Sequence, residues 1–285
     1  MTAAVVARIQ TLLPTLQPSE RRVAEVFLAR PEWTIEASSS DVGAAAGVSR
    51  ATVVRACQRL GFAGYPQLRV LLARDLGVDR GVDRGGDRGG EPPEGAFRAF
   101  YRTVADSLDV MTALLDDASV EQAVTLLCGA RRILVAGNGL SAPVAADAAM
   151  RLTAIGRPAD APPDHLTQQI RARLLGGDDA CLIVSGTGST DTSLRVAEAA
   201  RAAGAPIVAL TAFARSSLAE LATVTLVSAL RQPSFSDEIT RSLRVPQTLL
   251  VNALVHAIVA RDPAGAAATQ ARLLEVLGGA LAEDG

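Results

Sequence analysis

Two short segments combine the residue types best suited to hold an anion. Residues 137–141 read Gly-Asn-Gly-Leu-Ser, and residues 185–190 read Ser-Gly-Thr-Gly-Ser-Thr. Each ends an apolar, β-prone run and opens a stretch of helical composition. Glycine lets the backbone approach a ligand, a helix N-terminus aims amide N–H groups outward, and hydroxyls add directed donors. Gly137, Gly139, Ser141, Ser185, Thr187, Gly188, Ser189 and Thr190 can therefore cradle a phosphate without an ammonium group. None is to be had: all 28 basic residues are arginine, which excludes Schiff-base chemistry and a Walker-type P-loop. The first loop also satisfies G-x-G-x-x-A, with Ala142 in third place and Asp160 lying 23 residues after Gly137. A dinucleotide site is thus a rival reading, although four hydroxyl residues in the six positions of the second loop suit a phosphomonoester better.

A second chemistry lies in DVGAAAGVSRATVVRACQRLG, residues 41–61. Gly43 is small enough for two helices to cross closely, and Gly47 falls where a turn between them needs a positive φ. Val48 and Val53 fill a small core. Ser49 caps the next helix, which leaves Arg50, Ala51, Thr52, Arg55, Gln58 and Arg59 outward. Arginine pairs with guanine edges, glutamine with adenine, and serine and threonine with phosphates, so this is a helix-turn-helix aimed at the major groove. Ser49, Arg50, Thr52, Arg55, Gln58 and Arg59 are its candidate DNA contacts. The competing reading is a solvated three-helix module with an incidental arginine face.

The elements that must position these residues fall into two groups. In the first part, Ser19 opens a helix that Pro31 closes. Serines 38–40 cap a short second helix broken by Gly47, a third runs from Ser49 to Leu60, and a fourth follows Pro66 to about Leu76. In the second part, the runs 131–139, 157–162, 180–186, 206–212 and 223–228 are short strands separated by alanine-rich helical stretches, which predicts a parallel α/β sheet. A long helix over about 238–260 and an amphipathic one near 264–282 follow. Between the two parts, residues 77–90 repeat GVDR, GVDR and GGDR, a composition too poor in apolar groups to fold by itself. The expected organisation is a DNA-binding domain at 1–76, a linker at 77–95 and a sensor domain at 96–285.

Composition agrees with that division. The whole chain of 285 residues carries a net charge of −2, yet residues 1–76 hold nine arginines and six acids, a net +3. Residues 42–74 hold five arginines and no acid. Cys57, Cys128 and Cys181 are far apart, which argues against disulfides and zinc. No apolar run spans a bilayer and no signal peptide is evident, so a cytoplasmic location without membrane association is expected.

The stretch from PSERR through AAAGVSRATVVR to LGFAGY resembles the N-terminal domain of the RpiR/MurR family of bacterial transcriptional regulators. Residues 119–262 resemble the sugar isomerase (SIS) domain that accompanies it. The resemblance implies an all-α helix-turn-helix domain followed by a three-layer αβα domain with a five-stranded parallel, flavodoxin-like sheet. It implies that residues 49–59 enter the major groove. It also places Ser141, Ser185, Thr187 and Thr190 on phosphate-contacting hydroxyls and Gly188 on a backbone contact. Gly43 stands where the family usually has alanine. His165 falls on the family's ligand rim, and Glu238 opens the long helix where it can contact ligand. His256 lies on an apolar helical face and reads as a packed interface residue. His165, Glu238 and His256 form no convincing acid–base dyad, so no catalytic residue, cofactor or metal is assigned.

The expected function is a transcriptional regulator of sugar or amino-sugar metabolism genes. It binds a palindromic double-stranded operator as a homodimer or homotetramer and responds to a phosphorylated sugar. The alternatives are a sugar-phosphate isomerase with an accessory DNA-binding module and a regulator that senses a nicotinamide dinucleotide.

Overall fold

The computed structural model describes residues 4–80, 93–229 and 244–283. The chain separates into two units at Thr103–Val104, and each is built by different rules.

The first unit is helical. It comprises α1 (Ala4–Leu12), a 3₁₀ turn (Leu13–Thr15), α2 (Pro18–Ala29), α3 (Pro31–Glu36), α4 (Ser39–Ala46), α5 (Arg50–Arg59) and α6 (Tyr65–Arg80). Pro31 does end α2, but it also occupies the first turn of α3, where a missing N–H costs nothing. The start of α2 is fixed by Gln17 rather than Ser19, because the Glu20 carboxylate accepts from the Gln17 N–H at 3.2 Å. Val23, Phe27, Val42, Val53, Leu60, Leu68 and Leu72 form its core. Phe27 stacks on Tyr65 with ring centroids 5.9 Å apart. The end of α3 is tied down from α6: the Tyr65 hydroxyl donates to Thr34 O at 2.7 Å, and Arg69 Nε donates to Ile35 O at 2.7 Å. These bonds satisfy carbonyls that a helix end leaves open. Burial pushes the Arg69 guanidinium down to about 10, so it stays charged at neutral pH.

Helix α6 continues to Arg80, four residues into the repeats, and α7 (Pro93–Ala113) opens before residue 95. Both helices therefore reach into the segment expected to be linker.

The second unit contains α8 (Asp117–Gly129), β1 (Ile133–Gly137), a 3₁₀ turn (Gly139–Ser141), α9 (Ala142–Ala154), β2 (Ala159–Asp160), α10 (His165–Arg173), β3 (Ala180–Val184), α11 (Asp191–Ala202), β4 (Ile207–Thr211), α12 (Ser217–Leu221), β5 (Val224–Val227), α13 (Val245–Arg261) and α14 (Pro263–Glu283). The five strands form one parallel sheet in the order β2-β1-β3-β4-β5. Every residue of β1, β3 and β4 is buried, as expected for strands covered on both faces. On one face Val135, Leu182, Leu210 and Leu226 pack with α8, α9 and α13. On the other, Leu134, Ile183 and Ala209 pack with α10, α11 and α12. The strand order is that of the flavodoxin-like class, and it places a reversal between β1 and β3.

Cys57 and Cys181 are buried and Cys128 half-buried, all as free thiols. Burial pushes the Cys181 thiol up to about 12, so it is inert. At the amino edge of the sheet, buried Asp179 lies 3.2 Å from Arg131 and 3.1 Å from Arg132, and its carboxylate also accepts from the Gly176 N–H at 2.9 Å. Burial alone would raise its pKa, but these bonds and charges outweigh that and hold it below the usual carboxylate range. A folded-state pKa below the unfolded one contributes stability above the ordinary carboxylate range and loses it below. Asp179→Asn is expected to cost about 1–2 kcal/mol at neutral pH, since both arginines are exposed and solvent screens the pairs. Denaturation at a series of pH values should show the gap to wild type constant near neutrality and closing only below the ordinary carboxylate range.

Candidate DNA-reading helix and ligand edge

Helices α4 and α5 meet through Gly47, Val48 and Ser49. Ser38 and Asp41 form a reciprocal cap on α4, with the Asp41 N–H donating to Ser38 Oγ at 3.1 Å and the Ser38 N–H to Asp41 Oδ2 at 3.0 Å. The turn itself is made by Gly47 at φ 63°. The Val48 N–H returns to Gly43 O at 2.8 Å, and a Cβ on Gly43 would stand 2.8 Å from Val48 O. The close approach assigned to Gly43 is therefore between its own Cα and the turn. Arg22, which carried no signal of its own, donates from α2 to Ala46 O at 3.0 Å and braces the end of α4.

Ser49 caps α5, its Oγ accepting from the Thr52 N–H at 3.3 Å. Ser49, Arg50, Ala51, Arg55, Gln58 and Arg59 are exposed. Thr52 is not: it is only 6% exposed. Its hydroxyl lies 3.0 Å from Ser49 Oγ and accepts from Arg55 Nη2 at 3.1 Å. The position expected outward thus turns inward and orients Arg55. Arg59 reaches to 4.0 Å of the buried Glu20 carboxylate.

In the second unit, β1 and β3 are direct neighbours with Gly137 opposite Val184, so the two loops leave the sheet side by side. Ser141, Ser185, Gly188 and Ser189 are buried, Thr187 is half-buried, and Gly139 and Thr190 are exposed. Gly137 is demanded by packing, since a Cβ there would lie 2.6 Å from Ser141 O. The second loop is pinned at Gly188. Its φ is +59°, the Leu218 N–H donates to its carbonyl at 2.9 Å, and a Cβ would stand 2.3 Å from Ser216 Oγ and 2.9 Å from Thr211 Oγ1. Thr211 Oγ1 in turn donates to Gly186 O at 3.1 Å. Within the loop, the Ser189 N–H donates to Thr187 Oγ1 at 3.3 Å and the Ser189 hydroxyl to Thr187 O at 3.2 Å. Thr190 stands at the N-cap of α11 with no side-chain capping bond.

Gln168 holds the first loop. Its buried carboxamide donates to Gly137 O at 3.1 Å and Pro162 O at 2.8 Å, and accepts from Asn138 Nδ2 at 3.2 Å. A glutamine placed three residues into α10 gave no hint of this, because its partners lie on other elements. His165 is exposed at the first position of α10. His256, expected at an interface, is exposed on α13. Glu238 lies outside the described residues. Asp160, the acid a dinucleotide site would use, is ion-paired with Arg171.

A helix-turn-helix and a hydroxyl-rich edge on a flavodoxin-like sheet, carried on one chain, define a two-domain transcriptional regulator. Residues 3–78 match the helix-turn-helix domain of the rpiR family, and residues 126–257 match the SIS domain. The chain is 36% identical over 219 residues to the HTH-type transcriptional regulator HexR of Pseudomonas aeruginosa, covering 77% of this chain and 76% of that one. It superimposes on the Vibrio vulnificus NanR protein complexed with ManNAc-6P with a TM-score of 0.76, at 26% identity over 96% of this chain and 98% of that one. The sugar isomerase domain of an RpiR transcription factor from Sphaerobacter thermophilus matches with a TM-score of 0.56 at 25% identity, covering 63% of this chain and 98% of that one. The chain belongs to the rpiR family of HTH-type transcriptional regulators with a SIS domain.

Two glycines separate conformational strain from crowding. Gly47 has a positive φ but nothing within 4 Å of a would-be Cβ, whereas Gly188 has both a positive φ and three side-chain atoms within 3 Å. Gly47→Ala should cost about 1 kcal/mol and Gly188→Ala about 3 kcal/mol. Chemical denaturation of the two variants checks the difference, and equal losses would contradict it.

Proposed function

We propose that this regulator binds operator DNA through α5 and that a phosphorylated sugar held between the β1 and β3 loops modulates that binding. The observation that carries the reading is the adjacency of two glycine and hydroxyl loops at the strand-order reversal, each leading into a helix N-terminus. Ser141, Ser185, Thr187 and Thr190 supply hydroxyls to the phosphate, Ser189 shapes the loop, and Gly137, Gly139 and Gly188 let the backbone close in. His165 stands at the start of α10 and reaches toward the sugar. Glu238 is a further contact to the ligand in this reading. The likeness to NanR, whose complex contains ManNAc-6P, supports this class of effector.

On the DNA side, Arg50, Arg55, Gln58 and Arg59 read base edges, and Ser49 with the N-terminus of α5 holds a phosphate. Thr52 acts by orienting Arg55. Residues 1–76 form the DNA-binding domain, 77–95 the linker and 96–285 the sensor domain. A palindromic operator requires two copies, and exposed Phe97, Phe100, Tyr101 and Leu108 on α7 supply an apolar face that supports a homodimer, with a homotetramer as further assembly. Among the described residues no helix is long and apolar enough to cross a membrane, which fits a cytoplasmic location. The chain acts as a sensor rather than an isomerase, a reading supported by its likeness to relatives named as transcriptional regulators. For the effector to change DNA affinity it must bind one arrangement of the protein better than another.

Thermal-shift screening of the full chain against sugar phosphates and sugar acids tests the effector site. A stabilising compound is expected, and the Ser185→Ala/Thr187→Ala double variant should abolish its effect. Persistence of the shift in that variant would place the site elsewhere. For DNA, Arg55→Ala is expected to relax operator preference by about 1–3 kcal/mol at one base pair. Equal weakening on specific and random duplexes in a binding titration would make Arg55 a phosphate contact instead.

A further inference from the structure

Among the described residues of the sensor unit, several buried polar atoms lack a hydrogen-bond partner, and two of the side chains concerned are almost fully covered and lie near one edge of the sheet. Gln247, in the first turn of α13, is 0% exposed, and neither its Nε2 nor its Oε1 has a hydrogen-bond partner. Ser228, one residue beyond β5, is 1% exposed, and its Oγ also lacks a partner. Native folds satisfy nearly all such groups, so a buried carboxamide with both ends open calls for a ligand or a role.

Their place in the fold supplies one. The far end of α13 is anchored at the amino edge of the sheet. There Arg157, which follows α9, lies 3.3 Å from Asp262 and donates to Cys128 O at the end of α8. Gln247 lies 14 residues before Arg261, or about 21 Å back along the helix, further than the roughly 17 Å length of a five-residue strand. That puts it at the carboxyl edge, level with the start of α9. It shares a face with Leu250, Val251 and Leu254, which pack with Val144, Ala145 and Leu226. Ser228 extends the β4–β5 pairing, its N–H donating to Thr211 O at 2.9 Å. Strand alternation puts its side chain on the same face as Val224 and Leu226. Both groups thus sit on the α9/α13 side of the edge that carries the two loops. From β3 to β5 is two strand spacings, about 10 Å, a span that an extended sugar phosphate bridges.

We infer that Gln247 and Ser228 form a neutral subsite that reads hydroxyl or carbonyl oxygens on the sugar body, while the β1 and β3 loops hold its phosphate. The inference rests on the effector reading above. The pair is uncharged and offers donors and acceptors together, which suits a polyol and gives no preference to a second anion. Because both side chains are buried, a sugar reaches them only when the structure around them opens, so occupancy and that opening go together.

The test compares wild type, Gln247→Leu and Ser228→Ala as full chains. The probes are ManNAc-6P, glucose 6-phosphate, fructose 6-phosphate and inorganic phosphate, read by thermal shift and titration calorimetry. Wild type should bind a sugar phosphate more tightly than inorganic phosphate. Gln247→Leu should lose at least tenfold in affinity for that sugar phosphate, keep its affinity for inorganic phosphate, and melt no lower than wild type without ligand, since it removes an unpaired amide. Ser228→Ala should show the same pattern more weakly and serves if Gln247→Leu does not fold. Unchanged sugar-phosphate affinity in the folded variants would overturn the subsite. So would a lower melting point with every ligand response intact, which marks a purely structural role. If wild type binds sugar phosphates through Ser185 and Thr187 but the variants do not differ from it, this inference falls and the effector reading stands. If wild type binds none of the probes, both fall.

Discussion

The reversal of strand order between β1 and β3 is the constraint on which the sensor domain depends. With β2 added on one side of β1 and β3, β4 and β5 on the other, the crossover helices leave on opposite faces of the sheet, and a crevice opens between the first two loops. The loops then face one another by register, Gly137 beside Val184. In the proposed site a chain without lysine holds a phosphate through backbone amides, helix N-termini and hydroxyls, none of which needs a mobile cation. What such a cradle does need is rigidity. Gln168 supplies it for the first loop by tying Gly137 and Pro162 together. Thr211 and Ser216 supply it for the second by closing on Gly186 and Gly188.

The helical unit solves a similar problem with arginine alone. Five of its arginines divide by environment into three uses. Arg69 is buried and caps carbonyls of α3. Arg22 braces the end of α4. Arg50, Arg55 and Arg59 remain on the exposed face of α5. The planar fork suits all three, since it can cap two carbonyls or present two parallel donors to a base edge. The whole-chain charge of −2 therefore says little, because it averages a basic reading unit with an acidic sensor unit.

Much of this was legible in the sequence where the cause is local. The five strand runs all became strands: four are apolar or β-branched stretches that leave few alternatives, whereas Arg-Pro-Ala-Asp-Ala-Pro shrank to the two-residue edge strand Ala159–Asp160. Gly47 and Ser49 marked the turn and cap of the helix-turn-helix, because positive φ and N-capping are properties of single residues. What stayed hidden depends on partners distant in the chain. Gln168, Thr211, Ser216 and Arg22 take their roles from residues 24 to 31 positions away in the chain, and no spacing rule reaches that far. Thr52 misled because a helical wheel marks it as outward, whereas α5 packs against both α2 and α4 and so covers a broader arc than a single seam. His256 is exposed on α13, so its apolar neighbourhood is not explained by packing within one chain, and the interface expected there involves a second chain.

The same distinction bears on specificity. The proposed phosphate contacts are groups whose positions follow from strand ends and helix starts, features that many flavodoxin-like sheets share. Recognition of a sugar must use side chains from elements that converge only in the finished fold, which is where Gln247 on α13 and Ser228 after β5 lie. An unpaired carboxamide in the interior weakens the unliganded fold, and a regulator gains by this. A ligand that satisfies it is favoured by more than its contacts with the loops alone, and the state in which it is satisfied is distinct from the state in which it is not. A difference in free energy between two states, tied to occupancy, is what linkage requires of an effector site. A cradle of loops already rigid before the ligand arrives binds without supplying that difference.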